Sequence, residues 1–75
     1  MKIRVKLIGP LMYEAGFSEK DIEVPAGTTV GALIDLIAIP KERPKIVIRN
    51  GKAVAMEELL QAGDRISVSP IYSGG

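Results

Sequence analysis

Gly27-Thr28-Thr29-Val30-Gly31-Ala32-Leu33-Ile34-Asp35-Leu36-Ile37 is the stretch that decides the fold. Val30, Leu33, Ile34 and Ile37 recur at i, i+3, i+4 and i+7, which places them on one face of a helix, and Asp35 lies opposite. Pro25-Ala26-Gly27 reads as the turn before it, and Thr28 or Thr29 supplies a hydroxyl to cap the first turn. Gly31 inside a helix costs on the order of 1 kcal/mol relative to Ala, so something else there requires a small residue. Pro40 is expected to end the helix, with residues 41–44 as a charged connector. A helix with one apolar face needs a surface to bury it against, and the flanking sequence reads as strands.

On the N-terminal side, Ile3, Val5 and Leu7 alternate with Lys2, Arg4 and Lys6, the period-2 signature of a half-buried strand. Gly9-Pro10 stops it, Leu11 to Ala15 is long enough for one helical turn, and Gly16 ends that turn. Lys20 to Val24 alternates again with Ile22 and Val24 inward. If it pairs with the first strand, its carboxylates Asp21 and Glu23 would face Arg4 and Lys6, each such pair contributing roughly 0.2–1 kcal/mol. On the C-terminal side, Lys45 to Arg49 reads as a strand with Ile46 and Ile48 inward. Asn50-Gly51 is a strong hairpin signal, and Lys52 to Ala55 returns as a short strand. Glu57 to Gln61 is expected to form a helical turn. Arg65 to Ser69 is a last strand with Ile66 and Val68 inward, and Pro70 closes the globule. The expected architecture is α+β: a mixed sheet of about four to five strands packed on one main helix, over residues 1–70, with residues 71–75 as a tail.

The chain of 75 residues is one small domain, and near neutrality at +1 argues against a polyanion as its general partner. It contains neither cysteine nor histidine. That removes disulfides, thiolate metal sites and thiol nucleophiles, together with the commonest metal ligand and neutral-pH general base. The opening Met1-Lys2-Ile3-Arg4 carries charge where a signal peptide needs an apolar core. No apolar run approaches the ~20 residues of a membrane span, so the expectation is a cytoplasmic protein with no membrane partner. Conventional catalysis and a resident metal are not expected.

What remains chemically is Gly74-Gly75. A carboxylate on two glycines has no Cβ beside it, so it fits a narrow tunnel and offers one activatable group, whereas its bland reading is a frayed end. The order of elements before it weighs toward the first. The stretch Lys6-Leu7-Ile8-Gly9-Pro10-Leu11 with Glu14-Ala15-Gly16, the helix entry Gly27 to Leu33, Asn50-Gly51, and Leu60-Gln61-Ala62-Gly63-Asp64-Arg65-Ile66 together resemble the MoaD/ThiS sulfur carriers of the ubiquitin-like β-grasp type. The resemblance spans essentially the whole chain. Two departures from the MoaD pattern stand out. Ile71 stands where a second proline is usual after Pro70, and the short helix and connector look more like ThiS.

The resemblance implies a carrier rather than an enzyme. An adenylating enzyme of the MoeB/ThiF type would use ATP to activate Gly75, and sulfur from a donor protein would convert it to a thiocarboxylate. That sulfur would pass to a synthase large subunit or other acceptor, in molybdopterin, tungstopterin or thiamine-type biosynthesis. Gly74 would be the spacer, Ser73, Tyr72 and Ile71 would line the partner's channel, and Pro70 would stiffen the exit from the last strand. Two alternatives are a ubiquitin-like modifier conjugated through Gly75 and a non-covalent module of TGS type.

Three other groups carry weaker readings. Lys41, Arg43, Lys45, Arg49 and Lys52 face only Glu42 within residues 41–52, but no aromatic is interleaved for base stacking, so a solvated or partner-facing surface is expected rather than nucleic acid. Leu11, Met12, Tyr13 and Phe17 either cap the core or, with a sheet face bearing Val47, Ser67 and Ser69, form a docking surface. Glu57 and Glu58 suit a helix N-terminus and are not an acid/base pair, since sequence neighbours diverge around a helix.

Overall fold

The alternation at the N-terminus becomes β1 (Lys2–Leu7), with Ile3, Val5 and Leu7 buried and Lys2, Arg4 and Lys6 exposed. The computed structural model describes residues 1–40 and 42–71. After β1 come α1 (Leu11–Ala15), β2 (Glu19–Glu23), α2 (Val30–Leu36), β3 (Lys45–Arg49), β4 (Lys52–Ala53) and β5 (Arg65–Pro70). Among the described residues the strands form one five-stranded sheet in the order β2-β1-β5-β3-β4, with β1 and β5 parallel and the other pairs antiparallel.

Gly16 ends α1 in the left-handed region, its N–H donating to the Met12 carbonyl at 2.9 Å, as a helix-ending glycine should. β2 then pairs with β1 in the register Lys2↔Glu23, Arg4↔Asp21 and Lys6↔Glu19, so cations meet carboxylates across the strands, with Glu23 opposite Lys2 and Glu19, not Glu23, opposite Lys6. Arg4 donates from Nε to Glu19 at 2.8 Å and from Nη1 to Asp21 at 3.1 Å. The hydrogen bond to Glu19, then that to Asp21, raises the guanidinium pKa above its ordinary value.

Thr29 is the cap of α2, accepting from the Ala32 N–H at 3.1 Å. Val30, Leu33, Ile34 and Ile37 form one buried cluster with Ile3, Val5, Leu7, Val47, Ile66 and Val68 of the sheet. The small residue at Gly31 has its reason here. Its N–H donates to the Met56 carbonyl at 2.9 Å, and a Cβ would meet that same oxygen at 3.3 Å. The helix stops at Leu36, before Pro40, because Ala38 turns into the left-handed region at φ 64°. That turn lets both Ile37 and Ile39 enter the core.

Two expectations are corrected. Residues 57–61 form no helical turn. The N–H groups of Val30 and Gly31 at the start of α2 need acceptors, and the Glu58 and Met56 carbonyls supply them, while Leu60 N–H donates to Thr28. Leu59 bridges Thr29. The segment is thus a backbone cap for the helix, and Glu57 and Glu58 occupy no helix N-terminus. The second correction is the parity of β3. Val47 is 2% exposed and pairs with the buried Val68, whereas Ile46 is 43% exposed.

The β3–β4 hairpin turns at Asn50 and Gly51, both left-handed at φ 51° and 88°, the requirement of a two-residue turn that follows sheet twist. Asn50 also donates from Nδ2 to the buried Asp64 at 3.0 Å, and its Oδ1 accepts from Arg65 N–H at 2.9 Å. Asp64 accepts from Gln61 N–H at 2.8 Å, so the one buried carboxylate among the described residues is fully engaged.

The parity of β3 is checkable by a pair of truncations. Val47→Ala is expected to cost about 2–3 kcal/mol, from lost burial plus the cavity left behind. Ile46→Ala should stay within about 0.5 kcal/mol in the same denaturant titration, as exposed positions usually do. In α1 the same contrast holds between Leu11, which is 0% exposed, and Tyr13, which is 84% exposed. Leu11→Ala should cost roughly 2–5 kcal/mol and Tyr13→Ala under about 0.5, read from thermal unfolding.

Candidate functional site

One face of the sheet is covered by α2, and the other is open. Strand pairing determines what the open face displays. Ile46 sits opposite Ser69 and Ile48 opposite Ser67, while Lys6 neighbours Ser67 on the other side of β5. Ile8 continues the alternation of β1, its N–H donating to the Val68 carbonyl at 3.0 Å. The short Ser69 side chain therefore lies between Ile46 and Ile8, and that of Ser67 between Ile48 and Lys6. Ile8 is 38% exposed, and Ile48, Ser67 and Ser69 are half-buried. The result is an apolar patch at the end of the face where β5 leaves the sheet. Toward the opposite end the face turns polar, a shallow depression lined by Arg4, Lys6, Glu19, Asp21, Arg65 and Ser67.

The exit of the chain lies beside the patch. Pro70 is the last residue of β5, paired with Lys45, and Ile71 donates its N–H to the Pro44 carbonyl at 3.2 Å with a half-exposed side chain. Tyr72, Ser73, Gly74 and Gly75 lie outside the described residues.

Of the residues expected at a docking surface, Ser67 and Ser69 are on the open face. Val47 is not. It belongs to the core, and the apolar members of that face are Ile46, Ile48 and Ile8, which sequence reasoning did not single out. The Ile46-Val47-Ile48 run carries no parity signal of its own. Lys45 and Arg49 share the parity of Val47, which made that side look solvated. Both long side chains instead reach out from the rim of the core. Lys45 Nζ donates to the Pro40 and Arg43 carbonyls at 3.2 and 3.1 Å, and Arg49 Nη1 donates to the Leu59 carbonyl at 2.8 Å. In the α1 region Leu11 is core, Met12 and Phe17 pack against the core half-buried, and Tyr13 alone of the four projects into solvent.

Arg43, Lys45 and Arg49 of the basic stretch are occupied by internal contacts. Arg43 pairs with Glu14 at 2.8 Å, and Arg49 lies 3.5 Å from Glu58 and 3.8 Å from Asp64. Lys41 lies outside the described residues. Among the described residues no three His, Cys, Asp or Glu side chains are grouped to hold a metal ion, and no helix is long and apolar enough to cross a membrane. The end of the open face beside the chain exit thus presents isoleucines around serine hydroxyls, an arrangement suited to binding another protein.

No curated protein matches the chain in sequence. Solved structures do match. The chain is similar to SAMP1 from Haloferax volcanii, at 28% identity over all of both chains with a TM-score of 0.81. It is also similar to the putative molybdopterin converting factor, subunit 1, from Pyrococcus furiosus, at 29% identity over 96% of this chain and 99% of that one, TM-score 0.83. A chain of the protein–protein complex of subunits 1 and 2 of the molybdopterin-converting factor from Helicobacter pylori 26695 shares the fold, at 18% identity over all of both chains and a TM-score of 0.68. The profile of the ThiS family matches residues 5–75. With its helix packed across a five-stranded mixed sheet, the chain belongs to the ThiS family and has the ubiquitin-like β-grasp fold.

Proposed function

We propose that the protein is a sulfur carrier that works through the carboxylate of Gly75. The observation that carries this reading is the extent of the family match, which runs through β5 and on to Gly75. The chain has neither a cysteine thiol nor a histidine imidazole to serve as an acyl-transfer nucleophile or base. In the proposed cycle a carboxylate oxygen of Gly75 attacks the α-phosphorus of ATP in an adenylating enzyme of the MoeB/ThiF type, and pyrophosphate leaves. Sulfur at the sulfide level, supplied by a donor protein, attacks the acyl carbon and expels AMP, leaving a thiocarboxylate. That sulfur is delivered to a cofactor precursor of the molybdopterin, tungstopterin or thiamine type. Pro70 and Ile71 start the tail, Tyr72 and Ser73 line the partner's channel, and Gly74 passes its narrowest point because it has no Cβ. ATP belongs to the activating partner, and the carrier contributes no catalytic residue. We place the work in the cytoplasm.

The open face supplies the docking surface in this reading. The Helicobacter pylori structure is a complex between subunits 1 and 2 of its factor, which supports a synthase subunit as the corresponding partner here. A second reading has a specific observation behind it. A Haloferax volcanii structure similar to this chain is named small archaeal modifier protein 1, so conjugation of Gly75 to lysines of other proteins is the alternative outcome.

The intact mass of the chain, incubated with ATP, a sulfur donor and the activating enzyme and then denatured without reductant, tests both. A species heavier by the difference between sulfur and oxygen, hydrolysable and traced to Gly75, is the expected result, and Gly74→Ala should suppress it without changing Tm. Conjugates that survive reductant and denaturant would establish the modifier instead. An unmodified mass with every candidate activator, together with full binding activity of a chain lacking Gly75, would favour a non-covalent module. Docking has its own test. Ile46→Arg is expected to weaken binding to the activating enzyme or synthase by about tenfold or more, as central apolar contacts do, with Tm unchanged.

A further inference from the structure

We propose that the free edge of β2, with the groove between it and the end of α2, is a second binding site that takes an extended peptide in which Lys or Arg alternates with apolar residues. This site is separate from the apolar patch around Ile46 and Ser69 and shares only carboxylates at the polar end of the open face, so it stands whether or not Gly75 carries sulfur.

β2 is an outer strand of the sheet, and its unpaired side can be read from the ladder. Leu7 N–H donates to Ser18 at 2.8 Å and Val24 N–H to Met1 at 2.9 Å. These bonds set the phase of the antiparallel pair, in which alternate residues point their backbone groups at the partner strand. Positions 18, 20, 22 and 24 therefore face β1, and Glu19, Asp21 and Glu23 direct their N–H and C=O groups to the open edge. The other outer strand, β4, spans only Lys52–Ala53 and has no comparable length.

Beside this edge runs a groove whose apolar lining includes Phe17, Ile22, Leu36, Ile37 and Ala38. Leu36 is 61% exposed, an apolar side chain at the end of α2 outside the buried core. Lys20 points the same way as Ile22, but its Nζ lies 4.5 Å over the Phe17 ring, which parks the charge against the aromatic face. A strand added to β2 would send the residues opposite Lys20 and Ile22 into this groove and those opposite Glu19, Asp21 and Glu23 toward the open face of the sheet.

Charge then selects the occupant. Glu19 and Asp21 each use one oxygen on Arg4, and Glu23 lies 3.4 Å from the amino terminus with a side chain 73% exposed. A second copy pairing through its own β2 would set carboxylates against carboxylates, which opposes self-association. A strand with cations at those positions meets three carboxylates spaced at the strand period, and its intervening apolar residues reach Leu36 and Ile22.

Titration of the isotope-labelled full chain with a capped Lys/Arg–Val alternating peptide tests this by amide shifts. Controls are a peptide of identical composition with cations and valines in separate blocks, and a Glu–Val alternating peptide. The expected result is saturable shifts at Glu19, Asp21, Glu23 and residues 36–38 with the alternating basic peptide only. Leu36→Lys and Glu23→Lys, both at exposed positions, should each weaken that binding by about tenfold with Tm unchanged, since each removes a contact or opposes the charge. A chain lacking Gly75 should bind equally well, which separates this result from the fate of the carrier reading. Absence of shifts, shifts centred on Ile46 and Ser69, equal binding of the block peptide, or binding indifferent to Leu36→Lys would each overturn the proposal.

Discussion

The parallel pairing of β1 with β5 is the constraint from which the other features follow. Val5 lies beside Ile66 and Leu7 beside Val68, and all four are buried. Two parallel neighbours cannot be joined by a tight turn, so the chain between them must cross over the sheet, and α2 lies in that crossover with its apolar face on the strands. With β1 and β5 in the middle, the hairpin partner β2 is confined to one flank and β3–β4 to the other. The same pairing brings Ile8 alongside the end of β5, so the apolar patch of the open face and the point where the chain leaves the sheet are adjacent. The site is a consequence of topology as much as of the residues in it.

That explains what was legible in the amino-acid sequence. β1, β5 and α2 announce themselves because each has one solvated and one buried side, and in β2, exposed but for the half-buried Ile22, the alternation of charges does the same. β3 does not. Three consecutive apolar residues between two cations admit either parity, and the answer lies in Val68 across the ladder, a contact distant in sequence. Residues 57–61 were misread for a related reason. Local composition favours a helical turn, but the first N–H groups of α2 have a prior need for acceptors, and that segment supplies them. Both errors arise where a non-local hydrogen-bond partner overrides a local preference. Gly31 is the contrary case, since its local cost signalled a close approach that the Met56 carbonyl supplies.

The charged residues show the same local satisfaction. The chain is nearly neutral, and Arg43, Lys45 and Arg49 of its apparent basic cluster are dispersed among Glu14, Glu58, Asp64 and backbone carbonyls. Asp64 carries the greatest consequence among them. Buried at the end of the β4–β5 connection, it ties Gln61 and Asn50 together, and Asn50 in turn holds Arg65 at the start of β5. A buried carboxylate left without those donors would be costly, so the network pins the hairpin turn to the strand that pairs with β1.

The open face and the β2 edge differ in geometry in a way that bears on function. The face looks along the sheet normal, and the edge looks within the sheet plane, so a partner seated on one leaves the backbone groups of the other accessible. Their chemistry differs too: isoleucines around serines on the face, carboxylates at strand spacing beside an apolar groove on the edge. A small chain whose reactive group is proposed to work inside other proteins must be recognised by several of them in turn. A face beside Ile71, where the chain leaves the sheet, suits the enzymes proposed to act on Gly75. An edge remote from β3 and β4 suits a partner that must hold the carrier while Gly75 is engaged elsewhere.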